Sequence, residues 1–496
     1  MVIHEEGTHA TPGSGQVLYL QHPCRRPWLS VNYFFILAYL STCWRLLIRS
    51  EFILSIPILG PVLCESTAPD LEWSINFVIL MLWYQLFRYG CPFCLVMGDY
   101  DYQYRKVIFN VTETFPTRTT EMYHQHLNQA VSTNSPAFGV KGPTKLSEIL
   151  KMPSGMLFDP MHLLYLGVNK ALLSIILKNE LVDCLVLSSV IEKVGVPHYF
   201  RRKPRNILTE FALWKAQEHR VFLLYYAPLV FMYCWRLSQE QPNDIFFVYC
   251  LLSTSVYLLS SEYINECDIV DTELYIKTFQ SYLVSLLGDS VRTVTLHCLS
   301  HLPEQVRRFG PLQNVSAMLF ENLNRQLKQS ITGTRGCAEQ MINRYLNFQI
   351  SASSSKSCES VPHAIGKSPP FKRFKVGDLV FHTSKYDKFL KCKSCYVFLN
   401  DLRKFAKIKA LNVINNETFT VQCRVYDDMF PIFSLSSNLN LPPHIMTKMS
   451  NNCPYFFLKK GGIREISPVE FSHHAIIMKE KDSYFGVKVM NNYEHE

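Results

Sequence analysis

The sequence contains no run of apolar residues long enough to cross a membrane without interruption. A membrane-spanning helix needs about 20 residues, whereas the apolar segments Val31–Trp44, Phe52–Cys64 and Ile75–Phe87 are each shorter. Arg45 and Arg49 interrupt this region, and the polar start of the sequence lacks the apolar core of a secretory signal. We therefore expect these segments to be buried core elements, with attachment to a membrane as the alternative.

The sequence also lacks the closely and regularly spaced cysteines of a small secreted protein. Its 16 cysteines are spread along 496 residues and include two C-x-x-C pairs, a pattern typical of reduced intracellular thiols of which some bind metal. A hydrophobic content of 48% excludes a largely disordered chain, and the length suits roughly two to four domains. The net charge of +9 is a mild basic bias that fits a nucleic-acid partner without requiring one.

Composition divides the sequence into four regions. Residues 1–87 form an apolar N-terminal region with little periodicity, and residues 88–348 form a core in which helical spacing of apolar residues predicts a helical block at about 163–290. Residues 349–373 are rich in Ser, Pro and Lys, as linkers are. From 374 to 496, period-two alternation predicts a small β-rich module. Its lysines suit either phosphate contacts or a solvated charged face.

Two pairs of metal-ligating residue types lie roughly 200 residues apart in the core. His297 and His301 are four positions apart, so on a helix they share one face. Cys91 and Cys94, in GCPFC, form a knuckle that aims two thiolates at one point. Together the pairs make a Cys2His2 zinc set that would join the front of the fold to a distant element. A redox pair of cysteines is the alternative, although no thioredoxin-like pattern surrounds it.

Two further positions have the residue types of a catalytic or metal site. Glu321 lies twenty residues after His301 on an apolar background, which predicts a carboxylate in a low-dielectric wall that could ligate a hard divalent ion. A surface residue is the alternative. Asp159 and His162, in FDPMHLLYLGV, indicate either a helix N-cap followed by a first-turn histidine, or a metal-binding acid with its orienting partner.

Two clusters suggest binding of phosphate or of a second metal. The basic residues Arg201, Arg202, Lys203 and Arg205 precede an amphipathic helix and suit phosphate contacts, with a solvated charged loop as the alternative. The cysteines of CKSC and two downstream cysteines have the residue types of a small zinc knuckle. These four are Cys392, Cys395, Cys423 and Cys453.

The order of these motifs resembles that of the transposases of the CACTA (En/Spm) class of DNA elements and host proteins derived from them. The resemblance covers about residues 88–348 and depends on GCPFCLVMG, GVKGPTKL, FDPMHLLYLGV, WKAQEHRVFLLYY and FENLNRQLKQSITGT in this order. It implies an α/β fold: an RNase H-like catalytic domain interrupted by a mostly helical insertion. The layout is also similar to that of the V(D)J recombinase catalytic subunit, in which paired cysteines and histidines bind one zinc before the final glutamate.

The resemblance makes Glu321 the last acid of a DDE triad, in which two Mg²⁺ or Mn²⁺ ions drive cutting and joining of DNA strands. In the resembled layout the second acid falls at Asp70 or Glu72. Asp159 follows the C-x-x-C and fits the triad poorly. The first acid has no counterpart, because residues 1–66 contain no Asp.

We therefore expect a transposase-derived, DNA-binding protein that has lost strand transfer and contains a structural zinc. The alternatives are an active metal-dependent recombinase and a membrane-associated protein. Other expectations are homo-oligomers and a nuclear or cytoplasmic location, with the membrane as the alternative location.

Overall fold

The computed structural model describes residues 88–490, apart from short gaps. The gaps are residues 145–146, 148–149, 239–243, 334, 355–360, 367–368, 391, 414–417 and 436–441. The apolar N-terminal segments, Asp70 and Glu72 lie outside the described residues, so the expectations about them remain predictions.

A short hairpin and one helix begin the described chain. Strands β1 (Gly98–Asp101) and β2 (Lys106–Phe109) pair in antiparallel fashion, and helix α1 (Thr120–Thr133) follows. The Thr119 hydroxyl accepts a hydrogen bond from the Met122 amide, which caps the start of α1. The loop before β1 carries the C-x-x-C pair.

Helices make up the middle of the protein. They are α2 (Lys170–Lys178), α3 (Cys184–Lys193), α4 (Ile207–Glu210), α5 (Ala216–Val221), α6 (Ala227–Ser238), α7 (Asp244–Leu259), α8 (Glu266–Leu287), α9 (Val294–Cys298), α10 (Leu302–Phe309), α11 (Ala317–Gln329) and α12 (Cys337–Ser354). A π-helical segment, Met161–Asn169, runs directly into α2. Helix α7 is apolar on all sides and nearly every side chain of it is buried, which makes it the central helix of the core.

Strands dominate the remainder of the chain. They are β3 (His363–Ile365), β4 (Arg373–Val376), β5 (Leu379–His382), β6 (Tyr396–Leu399), β7 (Lys404–Val413), β8 (Phe419–Pro431), β9 (Tyr455–Ile466), β10 (Phe471–Glu480) and β11 (Ser483–Lys488). Strands β3, β4 and β5 form a small sheet, and the other six close into a barrel in the order β10-β11-β9-β8-β7-β6. Burial alternates along the first half of β8, as one face packs inside the barrel. Helices α13 (Ser384–Leu390) and α14 (Pro443–Asn452) connect strands.

The boundary predicted around residues 349–373 differs from the structure. Helix α12 extends to Ser354, and β3 lies within the supposed linker, where it pairs with β4. A Ser- and Pro-rich composition indicates weak propensity for helix or strand. It does not reveal a strand that is held by hydrogen bonds to a neighbouring strand.

The barrel and the helical body share one core. Tyr455 Oη on β9 donates a hydrogen bond to the Leu224 carbonyl at 2.9 Å, and Tyr257 Oη on α7 donates one to the Lys488 carbonyl at 3.0 Å. Buried barrel residues such as Phe485 belong to the same apolar cluster as the helices. The C-terminal strands are therefore packed onto the helical body.

The RNase H-like fold remains a prediction. Within residues 88–490, the described sheets are a hairpin, a three-stranded sheet and a six-stranded barrel, and all their strand pairings are antiparallel. The barrel does not clearly match an RNase H-like sheet. One described helical stretch, Met161–Lys178, is long and apolar enough to cross a membrane, and half of it is buried within the protein.

Candidate metal centre

Cys91 and Cys94 lie in a tight loop whose backbone is held by one arginine. The Arg118 Nε donates hydrogen bonds to the carbonyl oxygens of Cys91 and Cys94, at 3.1 and 2.9 Å. The Phe93 amide donates to the Cys91 Sγ at 3.4 Å. These contacts turn both thiols toward the same point in the interior, where the two cysteines are buried.

The two histidines come from a short helix and the turn after it. Thr293 caps α9 by accepting a hydrogen bond from the Leu296 amide. His297 lies in α9 and His301 ends the following 3-10 turn, Leu299–His301, so the pair does not share one regular α-helix. Their Nε2 atoms are nevertheless 3.4 Å apart.

The four side chains converge as the sequence predicts. Cys91 Sγ lies 3.3 Å from Nε2 of His301, and Cys94 Sγ lies 3.2 Å from Nε2 of His297. All four ligand atoms lie within 4.8 Å of one another. Bond lengths to a tetrahedral zinc place its sulfur and nitrogen ligands roughly 3.3 to 3.8 Å apart. This buried cluster can therefore bind a metal such as zinc.

Neighbouring groups orient the ligands. The Nδ1 of His297 lies 3.0 Å from the Asn110 carbonyl oxygen, so its proton is donated outward and Nε2 is left facing the cysteines. Phe93 stacks on the His301 ring at 5.7 Å between centroids. The thiol of Cys298, which spacing does not single out, is among the causes that raise the pKa of Cys91. Such backbone and ring contacts leave no signal in a single sequence.

The thiols hold their protons when no metal is bound. Burial is the main cause that raises the pKa of Cys91. The pKa of Cys94 is raised by its hydrogen bond with Cys91 and also by burial. Hydrogen bonds with His297 and His301 act in the other direction and lower it. A bound cation would replace these protons, so metal binding and proton release are coupled here.

Asp159, His162 and Glu321 meet at the protein surface. The Asp159 Oδ1 accepts hydrogen bonds from the amides of Met161 and Ala317, at 3.0 and 2.8 Å, so this carboxylate caps the π-helical segment and α11. His162 Nδ1 lies 2.5 Å from Asp159 Oδ2, and its Nε2 lies 4.0 Å from Glu321 Oε1. The hydrogen bond that His162 donates to the Asp159 carboxylate is the main cause that raises the pKa of His162.

The expected low-dielectric wall around Glu321 is wrong. The side chain is 58% exposed on α11, so solvent surrounds much of this carboxylate. Within the described residues, two groups of three or more His, Cys, Asp and Glu side chains converge as metal ligands would, and Glu321 belongs to neither.

The basic cluster divides into two parts. Arg201, Arg202 and Lys203 are exposed. Arg205 Nε instead donates to the buried carboxylate of Glu218 at 2.6 Å, and its Nη1 donates to Glu210 at 2.9 Å. Arg205 therefore joins parts of the fold, and the part free to meet a phosphate is the 201–203 segment.

The four cysteines expected to form a small knuckle do not converge. Cys423 lies in the barrel core, and Cys453 lies in the core shared with the helical body. The Cys392 thiol instead meets His382 and Asp387. Alternation along β8 places Cys423 on the inner face of the barrel, away from the loop that carries Cys392.

No family model, curated protein or solved structure matches this chain.

Proposed function

We propose that this chain is a DNA-binding protein derived from a CACTA-class transposase and that it no longer catalyses strand transfer. In this proposal the Cys91, Cys94, His297 and His301 cluster binds zinc. Four protein ligands complete a tetrahedral zinc and leave no open position for a substrate, which suits a structural role. The order of the motifs and the convergence of the four ligands support a common origin with such transposases.

A cationic patch on the outside of the barrel carries the DNA-binding part of the proposal. Lys407 on β7 is the direct cross-strand partner of Arg424 on β8, and like charges in this position destabilise a sheet. Burial lowers the pKa of Lys409, and the charges of Lys407, Arg424 and Lys460 lower it further. Mutually repelling cations suit a polyanionic partner, whose phosphates relieve the repulsion. We call these four residues the cationic patch.

The surroundings of Glu321 support the loss of strand transfer. Two-metal phosphoryl transfer needs several carboxylates that hold two cations about 4 Å apart. The nearest charged partner that the structure gives to Glu321 is His162. The Asp159 carboxylate is already occupied by two backbone amides at Oδ1 and by His162 at Oδ2. A histidine whose pKa is raised competes with a cation for the glutamate.

Salt-dependent DNA affinity tests the first part. We expect fluorescence anisotropy with a labelled duplex to show affinity that falls steeply with added KCl, because each phosphate contact adds about 0.9 to the logarithmic slope. Lys409→Glu should weaken binding by about tenfold or more, through loss of one contact and repulsion of the phosphates. Lys277→Glu makes the same charge change on an exposed residue of α8 and serves as the control. Salt-independent binding, or equal weakening by both variants, would contradict DNA binding through the patch.

A nicking assay tests the second part. Purified protein should leave DNA with terminal inverted repeats intact in Mg²⁺ or Mn²⁺, and Glu321→Ala should keep the wild-type DNA affinity. Cleavage by the wild-type chain that Glu321→Gln abolishes would establish an active recombinase and overturn the proposed loss of activity.

A further inference from the structure

A second group of metal-ligating side chains lies where the small sheet leads into the barrel. His382 ends β5, Asp387 lies in α13, and Cys392 follows that helix. His382 Nδ1 lies 3.0 Å from Asp387 Oδ1, and Cys392 Sγ lies 3.0 Å from the same oxygen. Cys392 Sγ and His382 Nδ1 are 3.7 Å apart. Three different donor atoms thus form one small triangle.

The triangle has nearly the size that a tetrahedral cation requires. Zinc bonds to sulfur, nitrogen and oxygen imply separations of roughly 3.4 to 3.6 Å between ligand atoms. Two of the observed separations are 3.0 Å, which is shorter than this range, and the third is 3.7 Å, which is slightly longer. Side-chain rotations that move Asp387 away from the other two groups would open the triangle to the size that a cation needs. Thiolate with imidazole and carboxylate is a donor set that favours zinc or a similar transition metal over Mg²⁺ or Ca²⁺.

The geometry does not fit a nucleophilic Cys-His-Asp arrangement. In such a triad the thiol and the carboxylate contact opposite ring nitrogens of the histidine. Here both Cys392 and Asp387 face Nδ1 of His382. A proton relay would need both ring nitrogens of His382. Because Cys392 and Asp387 face the same nitrogen, the three groups are arranged instead like ligands around one cation.

The surroundings are buried and pre-organised. The side chains of His382 and Asp387 are almost fully buried. Burial of an ionisable group destabilises the fold unless the group pairs with another or coordinates a metal. The other carboxylate oxygen of Asp387 accepts a hydrogen bond from the Cys395 amide, which fixes its orientation. Ser394 Oγ lies 3.9 Å from Cys392 Sγ.

The helical body packs against this same loop. The His198 ring stacks on the His382 ring, with 4.4 Å between centroids. The amide and Nδ1 of His198 both lie 2.8 Å from Ser394 Oγ, and the Lys393 amide donates to the Val196 carbonyl at 2.9 Å. The segment 196–198 therefore packs against the loop between His382 and Cys395.

We propose that His382, Asp387 and Cys392 form a second metal site, for zinc or a cation of the same class. The ion takes three protein ligands and keeps one further position for a water molecule or another donor. It fixes the loop that receives Val196 and His198, and so it strengthens the junction between the barrel and the helical body. This site is independent of the Cys2His2 centre and of DNA binding.

Metal content and cobalt spectra test the site in the full chain. Wild-type protein should bind two zinc ions, and Cys392→Ser should lose one of them while the Cys91, Cys94, His297 and His301 centre stays filled. With Co²⁺, the Cys91→Ser variant should still show a thiolate charge-transfer band from the second site. That band should vanish when Cys392→Ser is added to the same chain. Cys267→Ser removes an exposed thiol on α8 and is the matched control. Cys392→Ser protein with the wild-type zinc content would overturn the proposal.

A second measurement uses the wild-type chain and avoids a folding defect in the variant. Cys392 should resist alkylation when zinc is bound and react at least tenfold faster after chelation, as measured peptide by peptide. The rates are compared while Cys423, which is buried in the barrel, stays unreacted, so that the barrel remains folded. Equal reactivity of Cys392 with and without zinc would show that the three side chains form only a hydrogen-bonded cluster, and this result would overturn the metal site.

Discussion

The Sγ atom of Cys94 lies 3.2 Å from Nε2 of His297, although 203 positions separate the two residues. A metal ion at this point links the loop before β1 to α9, which follows helices α1 to α8 in the chain. The free energy of metal binding then becomes free energy of folding, because the unfolded chain offers no comparable site.

Loss of one ligand should therefore unfold more than the loop. For Cys91→Ser we expect loss of the metal ion of this centre and a fall of at least about 4 kcal/mol in the free energy of unfolding, since loss of a metal belongs to the largest class of mutational effects. Zinc analysis and urea unfolding measure the two quantities. The control Cys267→Ser should change stability by less than about 0.5 kcal/mol. Unchanged zinc content in Cys91→Ser would exclude this ligand set.

Gly167 allows the π-helical segment to approach α9. An added Cβ would lie 2.6 Å from the His162 carbonyl oxygen and 3.0 Å from Cγ2 of Thr295. Gly167→Ala should cost about 1 to 3 kcal/mol by overpacking. It should also weaken zinc binding, because Thr295 and His297 lie in the same short helix. Gly462→Ala, where nothing lies within 4 Å, is the control. Equal unfolding free energies and zinc affinities in the two variants would contradict this packing argument.

His219 should make the protein sensitive to mild acid. Burial is the main cause that lowers its pKa to about 4, whereas the unfolded chain has the ordinary value of about 6.5. Below pH 6.5 the unfolded state takes up a proton that the folded state refuses, so stability is full above that pH and is lost as pH falls toward 4. The loss from this residue should reach about 2 kcal/mol at pH 5.

Urea unfolding at pH 7 and pH 5 measures this effect. His219→Leu should be less stable at pH 7, because Asn169 Nδ2 loses a ring contact, but its stability should depend less on pH by about 2 kcal/mol over the same interval. The same pH dependence in both proteins would show that other groups cause the acid sensitivity.

Substitution of Arg205 should affect stability, whereas substitution of Arg201 should affect DNA binding. Arg205→Ala removes the partner of the buried Glu218 carboxylate and should lower the thermal midpoint clearly, because an unpaired buried charge destabilises the fold. Its effect on DNA affinity should be small. Arg201→Ala, on an exposed loop, should leave the thermal midpoint unchanged and weaken DNA binding. Thermal unfolding and anisotropy measure both, and a loss of DNA affinity in well-folded Arg205→Ala protein would contradict this division.

Asp159 should act as a helix cap. Asp159→Ala should cost about 2 kcal/mol or more, because one residue caps both the π-helical segment and α11. Asp159→Asn keeps an oxygen that accepts the same hydrogen bonds and should retain most of the stability. If both substitutions destabilise the protein equally, the carboxylate charge matters more than the cap.

Local patterns in the sequence identify some of these features and not others. Spacing alone singles out Cys91, Cys94, His297 and His301 and suggests that they form one Cys2His2 set, and the resemblance to transposases strengthens that prediction. Alternation in Lys404–Val413 predicts a strand, and β7 occupies this range. Closure of the barrel depends on pairing between β6 and β10, whose Val397 and His474 are far apart in sequence. No local pattern encodes that contact.

The errors have physical causes as well. Apolar neighbours in sequence suggested burial of Glu321, but on a helix the adjacent residues point to other faces. His382 and Asp387 were missed because a strand end and a helix bring them to Cys392, and neither element shows a metal-binding spacing by itself. The sequence signal for this group is that His382, Asp387 and Cys392 lie within eleven consecutive residues.

The core shared by the barrel and the helical body determines how the chain can be divided. Tyr455 and Tyr257 each bond to the backbone of the other part, and Phe485 belongs to the apolar cluster of the helices. Cutting the chain between residues 354 and 363 should therefore release neither part, since noncovalent contacts hold them together. A gene fragment that ends at residue 354 should encode a protein that aggregates, and the full chain should unfold in a single cooperative transition.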